Sequence, residues 1–388
     1  MLIINYMKTI KSGKGLTALI LALCLLVLNL TVHAQGAKHK KYVVIGYVGG
    51  YQGLVDTSLV NADKLTHINY AFVDVQNNRA RLTNLKTDST NFRNLNRLKL
   101  KNPDLKILIS IGGWTWSGNF SDAALSDTSR KAFAASAVDI IKKYGLDGVD
   151  IDWEYPAQRG AGNKFRPEDK QNYTLMFKAL REELDQAEKN TGKKLLLTTA
   201  VGGFKRFLDL TEMGRAQVYL NYINLMTYDY FQDSLGIAVH HTNLYGSKKY
   251  NGEDNADKTV AEYIAAGVPA AKLVMGLAFY GRSSIVAENT QNGLGVKTTG
   301  KAEAGGYTLI KDSLINKNGF KYFRDKDAKA PYLYNPSSRQ FISFDDEWSV
   351  KNKAEYVKDK KMGGLMFWEY TNDKKEYLLD ELNKVLSK

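Results

Sequence analysis

The chain of 388 residues contains one cysteine, Cys24. A lone thiol has no partner within the chain, so disulfides, cysteine-ligated metal sites and thiol catalysis are excluded from everything beyond it. Long apolar runs are nearly as scarce. The single example is LTALILALCLLVLNLTV at 16–32, preceded by Lys8, Lys11 and Lys14 and followed by VHAQ. A basic start, an apolar middle and a small residue before the cut describe a secretory signal peptide over residues 1–34, cleaved after Ala34. The run is 17 residues long and includes Asn29 and Thr31, whereas a spanning helix needs about 20 apolar residues. Leu23 precedes Cys24 where lipidation would favour a small residue. A secreted or periplasmic product is therefore expected, with no membrane partner once the leader is removed.

Concentrated basic modules are also missing. The formal charge is +13, and residues 1–34 carry three lysines and no acid, which leaves +10 (13 − 3) for the rest. Only KHKK at 38–41 forms a basic run, and solvated lysine faces account for the remainder, so no nucleic-acid partner is expected. No fixed-period repeat or low-complexity linker interrupts the chain. His240 and His241 lack metal-ligand spacing and read as a surface loop. Asn119 and Asn172 sit in N-x-S/T sequons, which matter only in a glycosylating host.

What is present is an alternation. Short apolar, β-branched runs occur at 42–48, 66–75, 106–113, 148–154, 195–201, 222–229, 272–281 and 363–370. Five of the intervals between them carry helical patterns, beginning near Ser126 and Pro167 and spanning 258–266, 348–360 and 374–387. Eight such strands separated by helices predict an α/β fold, a (β/α)8 TIM barrel, over residues 35–388. The interval 283–346 is long and patterned like short strands and turns. It is expected to form a small α+β insertion between strands 7 and 8.

The fourth run, GLDGVDIDWEYP, places Asp147, Asp150, Asp152 and Glu154 within eight positions. In a strand, residues two apart share a face. Asp150, Asp152 and Glu154 then form a column on one side, with Val149, Ile151 and Trp153 on the other. The parity of Asp147 differs, and a structural role is expected for it. In a barrel the column would lead to the C-terminal rim, where active sites lie. Like charges so close resist joint ionisation, so one member holds a proton, and Glu154 is placed to be a general acid. Two other readings remain at this point. A calcium loop needs a turn glycine among its alternating acids, and this run is strand-like. A purely structural network would bury four acids with no Lys or Arg nearby in the sequence, at a cost in stability.

DGVDIDWE resembles the DxxDxDxE signature of family 18 glycoside hydrolases, the chitinase family. HINYAF (67–72), SIGGW (110–114), MTYD (226–229), GLAFYGR (276–282) and GGLMFWEY (363–370) resemble that family's other strand motifs, in family order. The insertion is similar to that of the deep-cleft subgroup. The resemblance implies a chitinase that cuts β-1,4 bonds between N-acetylglucosamine units with retention, using the substrate's own acetamido oxygen as nucleophile and no cofactor or metal. The spacing agrees with this, since ordinary retaining enzymes set two carboxyls across the bond and family 18 is the named exception. By resemblance Glu154 is the acid and base, Asp152 holds the acetamide, Asp150 shares a proton with Asp152, and Tyr228 donates to the acetamide oxygen. Trp368 and Met226 would line the sugar floor. Tyr47, Ser110, Asp229 and Arg282 are further candidates for substrate contact or for supporting the acid column, Trp114 for substrate contact, and Gly112 and Gly113 for shaping the motif. Trp116 would extend the cleft or pack. The implied partner is chitin or a chitooligosaccharide, bound by a monomer. An endo-β-N-acetylglucosaminidase acting on N-glycans and a chitin-binding lectin are the alternatives. The insertion argues against the first and the retained Glu154, Asp152 and Tyr228 against the second.

Overall fold

The computed structural model describes residues 41–230, 236–252 and 254–388. The expected signal peptide and Cys24 lie outside them. Among the described residues no helix is long and apolar enough to cross a membrane.

Eight parallel strands close on themselves. They are β1 (Val43–Gly49), β2 (His67–Gln76), β3 (Lys106–Gly112), β4 (Gly148–Asp152), β5 (Leu196–Gly202), β6 (Tyr222–Met226), β7 (Leu273–Ala278) and β8 (Gly364–Trp368). Each pairs with the next, and β8 returns to β1. The TIM barrel expected from the alternation is therefore what forms. Its strands are buried on both faces and so read as near-continuous apolar runs. Val43, Ile45, Tyr47, Ala71, Val274 and Met366 form a small apolar cluster of their own, packed against Tyr228 and Trp368. A much larger apolar layer fills the space between strands and helices.

The longer helices are α1 (Leu85–Arg97), α2 (Asp127–Tyr144), α3 (Asp169–Thr191), α4 (Ala256–Ala265), α5 (Glu347–Asp359) and α6 (Tyr377–Leu386). The last five lie where the periodicity predicts helix. Helix α1 does not stand out in the sequence because two of its four buried positions are polar, Asp88 and Asn91, beside Phe92 and Leu95. These polar groups are satisfied: Tyr70 donates to Asp88 at 2.7 Å, and Asn91 donates to the Gly53 carbonyl at 2.9 Å. Helix α2 shows how the chain is delivered to the acids. Ser126 and Ser129 form a capping box at its start, and Gly145, at φ 65°, ends it in the left-handed region and turns the chain toward β4.

Between β7 and β8 a five-stranded antiparallel sheet forms from Thr298–Ala302, Arg282–Val286, Gln340–Ser343, Ala330–Asn335 and Lys321–Asp325, in that spatial order. Val286, Leu294, Tyr332, Tyr334 and Phe341 form its own small core. A fully buried ion pair sits where this sheet returns to the barrel. The Lys353 ammonium on α5 donates to both Asp345 oxygens, at 2.8 and 2.7 Å, and to Thr242 at 2.7 Å. The backbone N–H of Ala278, the last residue of β7, also reaches Asp345, at 3.2 Å.

Candidate active site

The acids of β4 divide as the strand period requires. Val149, Ile151 and Trp153 face outward and are buried against helices, with the Trp153 ring stacked on Phe120 at 5.2 Å. Asp150 and Asp152 face inward, and Glu154 follows just beyond the strand end. The backbone here is held by the end of β3. The Gly113 N–H donates to the Asp152 carbonyl at 2.8 Å. The Ser117 hydroxyl lies 3.1 Å from the same carbonyl and accepts from the Glu154 N–H at 2.9 Å. This approach explains the two glycines. A Cβ on Gly112 (φ 111°) would lie 2.1 Å from the Asp152 carbonyl oxygen, and one on Gly113 (φ 87°) would lie 2.6 Å from the Phe72 ring.

Asp150 is completely buried and accepts four hydrogen bonds. Tyr47 (2.9 Å) and Ser110 (2.8 Å) donate to Oδ2, while Thr198 (2.6 Å) and Asn224 (3.3 Å) donate to Oδ1. These donors come from β1, β3, β5 and β6 and form one polar layer across the barrel. Burial pushes the Asp150 carboxyl upward while the four donors oppose the shift.

Asp152 stands one layer higher, 4% exposed, and its Oδ1 has no hydrogen-bond partner among the described residues. Burial, then the Glu154 and Asp150 carboxylates, push it well above the usual range. Burial also raises Glu154 to about 7, with Asp229 adding to the shift. A carboxyl with that value is poised to give and take a proton near neutrality. The Tyr228 hydroxyl shares this environment, raised by burial and by Asp152.

These groups open into a cleft of about 1270 Å³. Trp368 lies on its floor, 5.7 Å from Tyr47 and stacked with Phe72 at 5.4 Å and Tyr51 at 6.4 Å between ring centroids. Trp114 and Trp116 line the cleft as well. Trp114 is half exposed with its edge toward Tyr155 at 6.3 Å, while Trp116 meets Phe72 at 6.1 Å. The opposite wall comes partly from the insertion, through Arg282, Ser283 and Lys301–Gly305. Barrel and insertion are joined at this wall. Arg282 donates to both oxygens of Asp229, at 2.7 and 2.6 Å, and the Tyr280 hydroxyl donates at 2.7 Å. Burial opposes ionisation of Asp229, but His241 and Arg282 outweigh it and hold the carboxyl far below its usual range.

Glu154, Asp152, Tyr228, Asp229, Met226, Tyr47, Arg282, Trp114 and Trp368 therefore all line one cleft. Ser110 is fully buried and donates to Asp150, an arrangement that supports the acid column. One expectation requires correction. His240 and His241 are not a surface loop. Both are buried, with His240 3.3 Å from Asp325 and His241 3.5 Å from Asp229. They pack between barrel and insertion, a surface that exists only once the insertion folds. The four acids also prove less isolated than the local sequence suggests. Asp147 lies 2.5 Å from Lys99 and 2.8 Å from Lys193, from segments distant in sequence, and accepts from the Ile107 N–H at 2.8 Å. Thr198, Asn224 and the cleft residue Tyr51 carry no distinctive spacing, and Phe72 and Tyr280 lie within the HINYAF and GLAFYGR stretches where nothing local marks them as cleft residues. Strand register and barrel closure bring them to the site.

The family model for glycosyl hydrolases family 18 matches residues 43–373. Chitinase A1 of Niallia circulans is 36% identical over 96% of this chain, and the match spans 62% of that relative's length. A solved family 18 N-acetylglucosaminidase from Paenibacillus barengoltzii superposes with TM-score 0.82 at 40% identity, covering 89% of this chain and 99% of its own. A chitinase from Bacillus thuringiensis gives TM-score 0.83 at 34% identity, covering 89% of this chain and 70% of its own.

Proposed function

The chain belongs to glycosyl hydrolases family 18, and we propose that it is a chitinase that hydrolyses β-1,4 bonds between N-acetylglucosamine units with retention. The observation that carries this reading is the single-strand column of Asp150, Asp152 and Glu154 opening into an aromatic cleft. Two-carboxylate retaining glycosidases hold their acids ~5–5.5 Å apart across the bond. Here the acids rise along one strand, and Asp229 on the cleft wall is committed to Arg282. The nucleophile must then come from the substrate, and a 2-acetamido group supplies it.

Glu154, protonated below about pH 7, gives its proton to the leaving oxygen as the acetamido oxygen closes on the anomeric carbon. The resulting ring carries positive charge. Asp152, whose Oδ1 has no protein partner, takes the acetamide N–H and stabilises that charge. Tyr228 directs its hydroxyl to the acetamide oxygen. Glu154 then removes a proton from water, which opens the intermediate from the face the leaving group occupied. Retention follows from these two inversions. Trp368 supports the apolar face of the sugar, and Met226 lines the floor beside it. The insertion wall deepens the cleft and favours an extended polymer over a compact N-glycan. A leader over residues 1–34 suits an enzyme that meets chitin outside the cytoplasm, and the complete cleft within one chain suits a monomer.

The test is product analysis on chitooligosaccharides and on an N-glycosylated protein, with Glu154→Gln alongside wild type. Release of β-anomeric chitooligosaccharide products by wild type alone is expected. Activity on the glycoprotein alone would replace chitin by N-glycan as substrate. Binding without cleavage of either would leave a lectin. Full activity in Glu154→Gln would remove Glu154 from its role.

A further inference from the structure

Glu154 stands outside the paired part of its strand. The ladders of β4 end at Asp152 on both sides, so the sheet does not fix the backbone that carries the proposed acid. Two side chains outside the recognised motifs take over, one on each side of that residue. Ser117, in the segment after β3, is 1% exposed. Its oxygen accepts from the Glu154 N–H at 2.9 Å, and its proton faces the carbonyls of Gly113 at 2.9 Å and Asp152 at 3.1 Å. A serine hydroxyl holds one donor and two acceptor sites, so this single group ties the Glu154 amide to the end of β3. Asn163 works on the carbonyl side and is also buried. Its amide nitrogen donates to the carbonyls of Tyr155 at 3.1 Å and Gln158 at 3.0 Å, and its oxygen accepts from the Gly160 N–H. These bonds fold residues 155–163 into a tight loop that seats Gly160 against Glu154. A Cβ on Gly160 would lie 2.1 Å from the Glu154 carbonyl oxygen. The loop is anchored in turn. Asp169, at the start of α3, is fully buried and accepts from the Ser121 hydroxyl at 2.7 Å and the Arg166 N–H at 2.8 Å. The Lys164 N–H donates to the Gly118 carbonyl at 3.3 Å. The segments after β3 and β4 are thereby stitched together around Glu154.

We propose that Ser117 and Asn163 are positioning residues that clamp the Glu154 backbone from its N–H and carbonyl sides and so fix where the general acid delivers its proton. This rests on the chitinase reading above. Neither residue is among those that line the cleft, so both act through the backbone of Glu154. A general acid works only within hydrogen-bond reach of the atom it protonates, and a misplacement of about 1 Å can cost roughly 10²-fold. The loss depends on the leaving group. A sugar hydroxyl leaves only with a proton, whereas dinitrophenolate departs without one. A loosened Glu154 therefore slows cleavage of an oligosaccharide and spares cleavage of a dinitrophenyl glycoside.

The experiment measures kcat/KM, which reports steps through bond cleavage, for wild type, Ser117→Ala and Asn163→Asp. The substrates are a chitooligosaccharide and the dinitrophenyl glycoside of the N-acetylglucosamine disaccharide. Alanine removes the Ser117 hydroxyl, and aspartate keeps the acceptor to Gly160 but loses both donors. Each variant should lose roughly 10-fold to 10²-fold on the oligosaccharide and stay close to wild type on the aryl glycoside. An equal fall on both substrates would make the two residues merely structural, and no fall on either would leave Glu154 unclamped; both results overturn the proposal. Asn163→Asp carries this arm alone if Ser117→Ala does not fold. A second measurement needs no turnover. In amide hydrogen exchange the Glu154 N–H should be protected in wild type and exchange roughly 10-fold faster in Ser117→Ala, with the amides of β1 unchanged. Unaltered protection of Glu154 overturns the clamp even if the enzyme cuts chitin. A wild type inactive on both substrates, whose Glu154 amide still responds to Ser117→Ala, would instead overturn only the chitinase reading.

Discussion

Glu154 is the residue on which pH acts most directly. In the proposed mechanism its acid form starts the reaction, and burial raises its carboxyl to about 7. Activity is thus present below that value and is lost as pH rises through it. The alkaline limb of kcat/KM should have its midpoint near pH 7, read from initial rates on a soluble chitooligosaccharide. Glu154→Gln should lower kcat by roughly 10²–10⁴-fold, the usual worth of general acid–base help, while binding of the oligosaccharide measured by calorimetry stays close to wild type. The position of Glu154 above Asp150 and Asp152 was open to a reader of the sequence because strand alternation is local. The partners of Asp150 were not, because Thr198 and Asn224 lie 48 and 74 residues away in the chain and are ordinary residues in ordinary strands.

Elements carry the next level of organisation, and the β3–β4 pair shows it most sharply. Gly112 allows the end of β3 to sit against the Asp152 carbonyl. Gly112→Ala should destabilise the fold by about 1–3 kcal/mol through backbone strain alone. By displacing Asp152 and Glu154 it should also lower kcat by roughly 10²-fold. Gly53 has nearly the same φ, 113°, but a Cβ there meets nothing within 4 Å. Gly53→Ala should show a similar urea-unfolding penalty with kcat unchanged, which separates strain from collision. The return of the insertion to the barrel supplies a second case. Lys353→Met leaves Asp345 charged and unpaired in a dry interior and should cost about 3–5 kcal/mol, measured by the same unfolding. Five outer helices and eight strands follow from hydrophobic period. Helix α1 does not, since Asp88 and Asn91 occupy buried positions that the period alone assigns to apolar residues.

Across the whole molecule, charge pairs join segments distant in the chain, and their exposure decides their worth. Arg282 and Asp229 are both near half exposed, so Arg282→Ala should change stability by less than about 1 kcal/mol while raising KM as the insertion wall loosens. Asp147 is almost fully buried with two lysines. Burial opposes its ionisation, but Lys193 and Lys99 prevail and its pKa falls below the ordinary value. Its contribution is therefore complete above the unfolded carboxylate pKa of about 3.9 and disappears as pH drops through the lower folded value. In Asp147→Asn the loss of stability on acidification should be shallower than in wild type, as followed by urea midpoints between pH 6 and pH 3. The sequence by itself determined the barrel, the shared face of Asp150, Asp152 and Glu154, and the outward burial of Trp153, because each depends on repeats of two or of about 3.6 residues within one segment. Only the tertiary structure decided which donors saturate Asp150, which lysines neutralise Asp147, and that His241 is buried beside Asp229. Those contacts depend on strand register, barrel closure and the seating of the insertion, which bring together groups that no local period connects.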